Sequence, residues 1–407
     1  WVLVFMKKRR SLDYKTFSQL STEQSKLYQL ITGMQEIKLN NSEKQKRWEW
    51  ERIQSKLFKL NIKNLSLKQY QQSGTVFINE TKNILITFFS ASLVLKGDIT
   101  LGAMLAIQYI IGQLNSPIEQ LIGFVHAAQD AKISIERLNE IHKKSDEEQT
   151  VDNKSNLIPK EKNIQVKNLS FSYEGTRSPL VLENLNLTIP ENRVTAIVGA
   201  SGSGKTTLIK LLLGFYEPNA GEINVNNNIS IKNFNHHLWR DMCGAVMQEG
   251  FIFSDSIINN IAVGDEAPNI DKIIEAVSVA NIKDYIESLP LGYDTIIGQE
   301  GHGLSQGQKQ RILIARAAYK NPHYLFLDEA TNALDAHNER LIMENLNHFF
   351  KGRTVVIVAH RLSTVKNADQ IIVLDNGKIK ETGTHRSLTS QKGLYFTLVK
   401  NQLELGN

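Results

Sequence analysis

Hydrophobic and polar positions follow three successive patterns along this chain. In residues 7 to about 72, apolar residues such as Leu20, Leu27, Leu30, Ile31 and Met34 recur at helical spacing among Lys, Glu, Gln and Ser. That stretch has no proline and Gly33 as its one glycine, so it predicts long helices, bent near Gly33. The second pattern is nearly continuous apolarity. Residues 75–95 end in the charge-free run Asn83–Leu95, and 99–118 are uncharged throughout, with KGDIT as a polar turn between them. A helix crosses a bilayer with about 20 apolar residues, so the two runs predict a transmembrane hairpin. The alternative is a pair of buried helices in a soluble domain, favoured by Glu80, Gln108 and Asn115. For Glu80 and Lys82 two placements stand open: Glu80 in a water-filled cavity, or both near the cytoplasmic interface with Lys82 snorkelling.

Helical spacing resumes from Pro117 to His142, and residues 143–160 are charged and weakly patterned, as a linker is. The third pattern follows. NIQVKNLSFSY and VLENLNLTIPENRVTAIVG alternate apolar and turn residues, and strands then interchange with helices to the C-terminus. This predicts an α/β domain with a parallel core. At the other end, WVLVFM runs straight into KKRR. Six apolar residues ending in cations resemble the last turns of a span at the cytoplasmic face, with more chain expected upstream. A soluble strand or an expression remnant is the other reading.

Composition adds limits. A length of 407 residues suggests two or three units, and 41% hydrophobic residues is an average that can hide a short membrane part. The net charge of +5 does not point to nucleic acid. The single cysteine, Cys243, excludes an internal disulfide framework and suits a reducing compartment. Within MCGAVM it reads as a small buried hydrophobe.

The chemistry concentrates in the third region. VTAIVGASGSGKTTLIKLLLG reads strand, glycine loop, helix, and Gly199, Gly204, Lys205 and Thr206 fill the pattern G-x-x-x-x-G-K-[ST]. Such a loop turns successive N–H groups onto phosphate oxygens, here with Ser201, Gly202, Ser203 and Thr207, and the helix N-terminus adds positive potential. Lys205 suits the β and γ phosphates of a nucleotide, and Thr206 suits Mg²⁺. HYLFLDEATNALD places a buried strand before Asp328, a candidate for the metal shell, and Glu329, a candidate base for a water attacking in line. VVIVAHRLSTV ends a further strand at His360, a candidate γ-phosphate contact. Gln248 in GAVMQEGFIF is placed likewise and suits sensing the metal and the attacking water. Tyr173 either packs in its strand or stacks on a base. GLSQGQKQR, residues 303–311, reads as the polar start of a helix carrying residue types that bind phosphate.

Taken in order, residues 161–407 resemble the nucleotide-binding domain of an ATP-binding cassette (ABC) transporter. The resemblance rests on Tyr173, the loop 199–206, Gln248, the signature 304–308, Asp328–Glu329, the loop 330–335 and His360. It implies an α/β P-loop NTPase, with a RecA-like core and a helical subdomain, preceded by an all-α membrane and intracellular-loop segment. It implies that Tyr173 stacks on adenine, that Gln248 couples nucleotide state to the membrane part, that Glu329 is the catalytic base and that His360 is the switch histidine. It implies that Ser305, Gly307 and Gln308 bind the γ phosphate of ATP held by a second copy, so that two chains facing head to tail complete two sites.

There are departures from the family pattern. Gln306 replaces a signature glycine, Asn332 stands where the family commonly has Ser, and Gln299 stands where exporters often have Glu, although Glu300 is adjacent. Residues 1–142 are similar to the end of an exporter membrane domain: the close of span four, a cytoplasmic loop whose residues 32–40 match a coupling helix, and spans five and six. The implied protein is a half-transporter of the cytoplasmic membrane, pairing with a second half, using ATP and Mg²⁺, and exporting a peptide or bacteriocin. A soluble ABC clamp, a regulatory module closing without turnover, and a lipid or drug exporter are the alternatives.

Overall fold

The computed structural model describes residues 2–144, 161–173, 178–226, 229–298, 301, 303–332, 334, 336–359 and 362–405. The chain divides into two compact units, Trp1–Ser145 and Asp146–Asn407. The expected linker residues 145–160 lie outside the described residues.

The first unit is helical, with α1 (Val2–Thr32), α2 (Met34–Leu39), α3 (Glu43–Leu95) and α4 (Leu101–His142). Gly33 separates α1 from α2, where the sequence predicts a bend. No break separates the polar half of α3 from its apolar end, and α4 runs on through Pro117. The chain turns between Lys96 and Thr100, whose Oγ1 accepts from Ala103 N at 3.2 Å and caps α4. Cross-links place α1 and α3 antiparallel: Asn64 Nδ2 donates to Thr16 Oγ1 (3.1 Å), Gln54 Nε2 to Glu23 Oε1 (2.5 Å), and Lys26 pairs with Glu49 (2.5 Å). Arg10 and Tyr14 of α1 both bind Glu136 of α4, and the Arg137 guanidinium lies 3.9 Å from the Phe17 ring centroid.

Among the described residues no helix is long and apolar enough to cross a membrane. The two expected spans fall at the end of α3 and the start of α4. Their apolar runs belong to longer helices that carry Lys82, Gln108 and Asn115. Lys82 Nζ donates to Asn115 Oδ1 at 2.7 Å across the α3–α4 pair, and Glu80 is exposed. Phe77, Ile84, Phe88, Phe89 and Leu95 also stand exposed.

The second unit is built on a six-stranded sheet. Its strands are β3 (Val194–Val198), β6 (Cys243–Val246), β9 (Tyr324–Asp328), β10 (Thr354–Val358), β11 (Gln370–Asp375) and β12 (Lys378–Gly383), in the order β12-β11-β3-β10-β9-β6. All pairings are parallel except β11–β12. A four-stranded antiparallel sheet, β2-β1-β4-β5, comprises β1 (Ile164–Phe171), β2 (Leu182–Ile189), β4 (Ala220–Val225) and β5 (Ile229–Ser230). A two-stranded ribbon joins β7 (Asp255–Ser256) to β8 (Ile296–Ile297). The remaining helices are α5 (Lys205–Leu212), α6 (His236–Met242), α7 (Ile257–Ile261), α8 (Ile270–Val279), α9 (Lys283–Glu287), α10 (Gln306–Tyr319), α11 (Ala336–Phe349), α12 (Leu362–Val365), α13 (His385–Gln391) and α14 (Leu394–Leu405).

The period of two in the strands decides the core. Leu325 and Leu327 of β9, with Val355 and Ile357 of β10, join one apolar cluster that includes residues of α8, α10 and α11. Tyr324, Phe326, Val356 and Val358 face the other side, with α5, α6 and the antiparallel sheet. Cys243 is buried in this second cluster, and burial pushes its thiol well up, so it behaves as the predicted hydrophobe. Both faces of the parallel strands are covered, which holds their C-terminal ends rigid beneath the loops that follow.

Trp239 anchors the second cluster. It is fully buried, meets the Tyr324 ring at a 46° tilt with centroids 4.9 Å apart, and donates Nε1–H to Leu212 O at 3.1 Å. Trp239→Ala leaves a cavity and an unpaired carbonyl, at a cost of about 3–5 kcal/mol. The expected result is a melting midpoint lowered by roughly 10 °C; a midpoint within the error of the parent contradicts this account of the core.

Candidate active site

The loop between β3 and α5 is set by close backbone approach. Gly199 has φ +157°, and a Cβ there would lie 2.0 Å from Leu374 O. Gly204, the N-cap of α5, has φ +101°, and a Cβ would meet Leu182 Cδ2 at 2.5 Å. Only glycine fits either position. Gly377 N, at the β11–β12 turn, donates to Ser203 O at 3.2 Å and ties that turn to the loop. Lys205 is 6% exposed, and its Nζ donates to Gly199 O (3.0 Å) and Ala200 O (2.8 Å). Burial lowers its pKa, and the charges of Glu329 and Asp328 hold it up in part. Ser201 and Gly202 are exposed on the rim, Ser203 and Thr207 are buried, and Thr206 is half-buried at the start of α5. The free N–H groups of that helix start lie in the same loop, an arrangement that favours an anion.

Asp328 closes β9 and is 0% exposed. Neither carboxylate oxygen has a hydrogen-bond partner. Burial raises its pKa first, and the Glu329 charge adds to this. The Thr206 hydroxyl, near but short of hydrogen-bond geometry, pulls it back, as do Lys205 and Lys210. A buried carboxylate with two unused acceptors beside a threonine hydroxyl is a donor set that a hard cation fits. Among the described residues no group of three or more His, Cys, Asp or Glu side chains is placed to hold a metal ion.

Glu329 follows with φ +53°, the left-handed region that costs a non-glycine residue about 1–3 kcal/mol. Three bonds fix its backbone there. Its N–H donates to Val358 O (3.1 Å), and its carbonyl accepts from Asn332 N (3.2 Å) and Gln310 Nε2 (2.9 Å). Asn332 Nδ2 also donates to Glu329 Oε2 at 2.6 Å. A water-sized cavity is lined by Glu329, Asn332, Ala359 and Thr364, and the buried Thr364 hydroxyl has no partner.

Gln248 is exposed in the turn after β6, the strand paired with β9. Tyr173 is half-exposed; its hydroxyl bonds Thr207 Oγ1 at 3.0 Å, and its ring meets Phe171 and Tyr216 edge-on at 5.1 Å and 5.3 Å. In the second polar segment Ser305 is the N-cap of α10. Its Oγ accepts from Gln308 N (3.2 Å), while Gln308 Oε1 accepts from Ser305 N (2.8 Å). The Ser305 O–H remains able to donate, as does the Gln308 amide. Gly307 is half-buried in the first turn of α10, and Gln306 is exposed. Gln299, Glu300, Asp335 and His360 lie outside the described residues.

The fold thus brings Lys205, Thr206, Asp328 and Glu329 to one end of the parallel strands, with Tyr173 bonded to the helix that follows the loop. Sequence reasoning missed Gln310, Tyr216 and Thr364, and took Asn332 only as a departure. The one signal for Gln310 was its place within a helix signature otherwise read for its first five residues.

Residues 182–332 match the sequence profile described as ABC transporter. Over 397 residues the chain is 38% identical to the alpha-hemolysin translocation ATP-binding protein HlyB of Escherichia coli O6:H1, covering 97% of this chain and 55% of that protein. It is 37% identical to the leukotoxin export ATP-binding protein LtxB of Aggregatibacter actinomycetemcomitans over 399 residues, with 97% and 55% covered. The chain spans about half the length of the curated relatives it matches. Among solved structures, a bacterial Atm1-family ABC exporter with ATP bound superimposes with a TM-score of 0.92 at 27% identity, covering 98% of this chain and 70% of that one.

The raised pKa of Asp328 has a signed consequence. The folded protein keeps this proton at pH values where the unfolded chain has lost it. Stability from the group is full below the ordinary carboxylate pKa and is lost as pH rises through the folded value. Asp328→Asn removes that loss. Without nucleotide, its melting midpoint is expected above the parent's at pH 7, with the gap closing at about pH 4. A variant no more stable than the parent at pH 7 would show that burial is not what governs this carboxyl.

Proposed function

The chain belongs to the ABC transporter family, and on that premise we propose that it is the ATP-hydrolysing half of an exporter. The observation that carries the proposal is the fully buried Asp328 carboxylate, without hydrogen-bond partners, at the strand end beside Thr206 and Lys205. Thr206 and Asp328 would hold Mg²⁺, which when bound neutralises phosphate charge and orients the triphosphate. The loop N–H groups and Lys205 bind the phosphates. Lys205 exchanges its bonds to the Gly199 and Ala200 carbonyls for phosphate oxygens. Glu329, held in place by its backbone, accepts a proton from the water that attacks the γ phosphorus in line. Gln248 contacts that water and the metal region, and Tyr173 stacks on adenine. His360 is assigned to the γ phosphate by its place in the sequence, one residue beyond Ala359.

Ser305, Gly307 and Gln308 complete the site of a second copy. The Ser305 hydroxyl and the free N–H groups of the α10 start supply donors for a γ phosphate across a dimer, with ATP between two facing cassettes. The first unit is assigned to the membrane. The exposed Phe77, Phe88, Phe89 and Leu95 of α3 support that assignment. The Lys82–Asn115 bond satisfies polar groups that lipid does not. Relatives named for translocation of alpha-hemolysin and export of leukotoxin support a polypeptide cargo moved across the cytoplasmic membrane.

Lys205→Ala is expected to remove measurable ATP turnover, and hydrolysis near the parent rate refutes the assignment. Glu329→Gln is expected to retain ATP binding while lowering turnover at least 100-fold and accumulating an ATP-dependent dimer. In that dimer, cysteines placed at Ser305 and Gly202 should crosslink between chains. Crosslinks confined to single chains contradict the shared site.

A further inference from the structure

We propose that Asn332 is a positioning residue for the Glu329 carboxylate. The inference rests on the reading of Glu329 as the base. The turn 329–332 is closed by Asn332 N donating to Glu329 O at 3.2 Å, and the same residue returns its side chain, Nδ2 to Oε2, at 2.6 Å. One residue thus holds both the carbonyl and the carboxylate of Glu329. Gln310, 6% exposed on α10, holds the carbonyl from a second direction at 2.9 Å. The left-handed backbone of Glu329 is therefore fixed from two elements, and Asn332 also bonds the carboxylate itself.

An amide N–H on Oε2 has two effects. It removes one torsional freedom of an otherwise long side chain, and it orients the carboxylate relative to the turn. The serine hydroxyl of the family pattern ends one bond nearer the backbone than the Asn332 amide nitrogen. The departure at Asn332 is therefore a gain of contact with the base. Asn332 is exposed, so it carries little of the core and its replacement leaves folding intact.

The test uses steady-state ATPase kinetics of the full-length chain, with two variants that remove the donor at nearly constant volume, Asn332→Leu and Asn332→Asp. Loss of a hydrogen bond to a charged group predicts a kcat about tenfold or more below the parent. The KM for ATP is expected to stay within about twofold, and the melting midpoint to stay unchanged, because a positioning contact acts in the reacting state. Placed in the Glu329→Gln background, either substitution should lower the residual rate no further. Parent-like kcat in both variants overturns the proposal, as does a loss that appears in KM or persists undiminished in the Glu329→Gln background. Full activity of Glu329→Gln alone overturns the base assignment instead, a result distinct from full activity of the Asn332 variants beside an inactive Glu329→Gln.

Discussion

Removing an ammonium and a carboxylate from water costs roughly several kcal/mol per ion unless each finds partners, and this unit buries both at one strand end. Lys205 answers with two loop carbonyls. Asp328 has no such answer: its oxygens stay unpaired, and its proton is held more tightly than in water. The surrounding fold exists in a form that can keep that carboxylate dry. Fully buried β9 and β10 flank it, and two apolar clusters press on opposite faces of the sheet. A looser sheet would admit water and dissipate the charge imbalance that makes the site receptive to cations and phosphates.

The second constraint is the backbone of Glu329. A left-handed glutamate persists only where its neighbours over-determine it. Its amide is held by β10, its carbonyl by Gln310 of α10 and by Asn332 of its own turn. The helix that holds the carbonyl begins at the Ser305–Gln308 capping box. A rigid 14-residue helix therefore joins the polar pentad at its start to the carboxylate turn. A load on the N-terminal turn of α10 has a short covalent and hydrogen-bonded route to the acidic strand end.

The helical unit follows different rules. Its helices are tied by amide and ion-pair bridges, each worth at most about 1 kcal/mol when exposed, and the apolar residues along α3 have few partners of their own. Periodicity, composition and the apolar runs located these helices, yet they divided α3 and α4 into shorter pieces. The polar-to-apolar change inside α3 alters which solvent suits the surface without changing helix propensity, and Pro117 sits within a helix long enough to absorb its missing N–H.

Local chemistry by itself determined the phosphate loop, the strand before it, the acidic strand end and the serine at the start of α10. Each depends on residue types within one short segment: glycines where a Cβ has no room, a run of apolar residues too short for a helix, a hydroxyl able to cap. Tertiary structure alone decided that β10 lies between β3 and β9. It decided too that the Asp328 oxygens are left unpaired, and that Gln310 and Asn332 converge on Glu329. Those outcomes depend on which distant segments share a sheet edge, and pairing across a sheet leaves no periodic mark in either strand. Asn332 could be read in the sequence only as a difference; its meaning required the left-handed turn that points its amide back at the carboxylate.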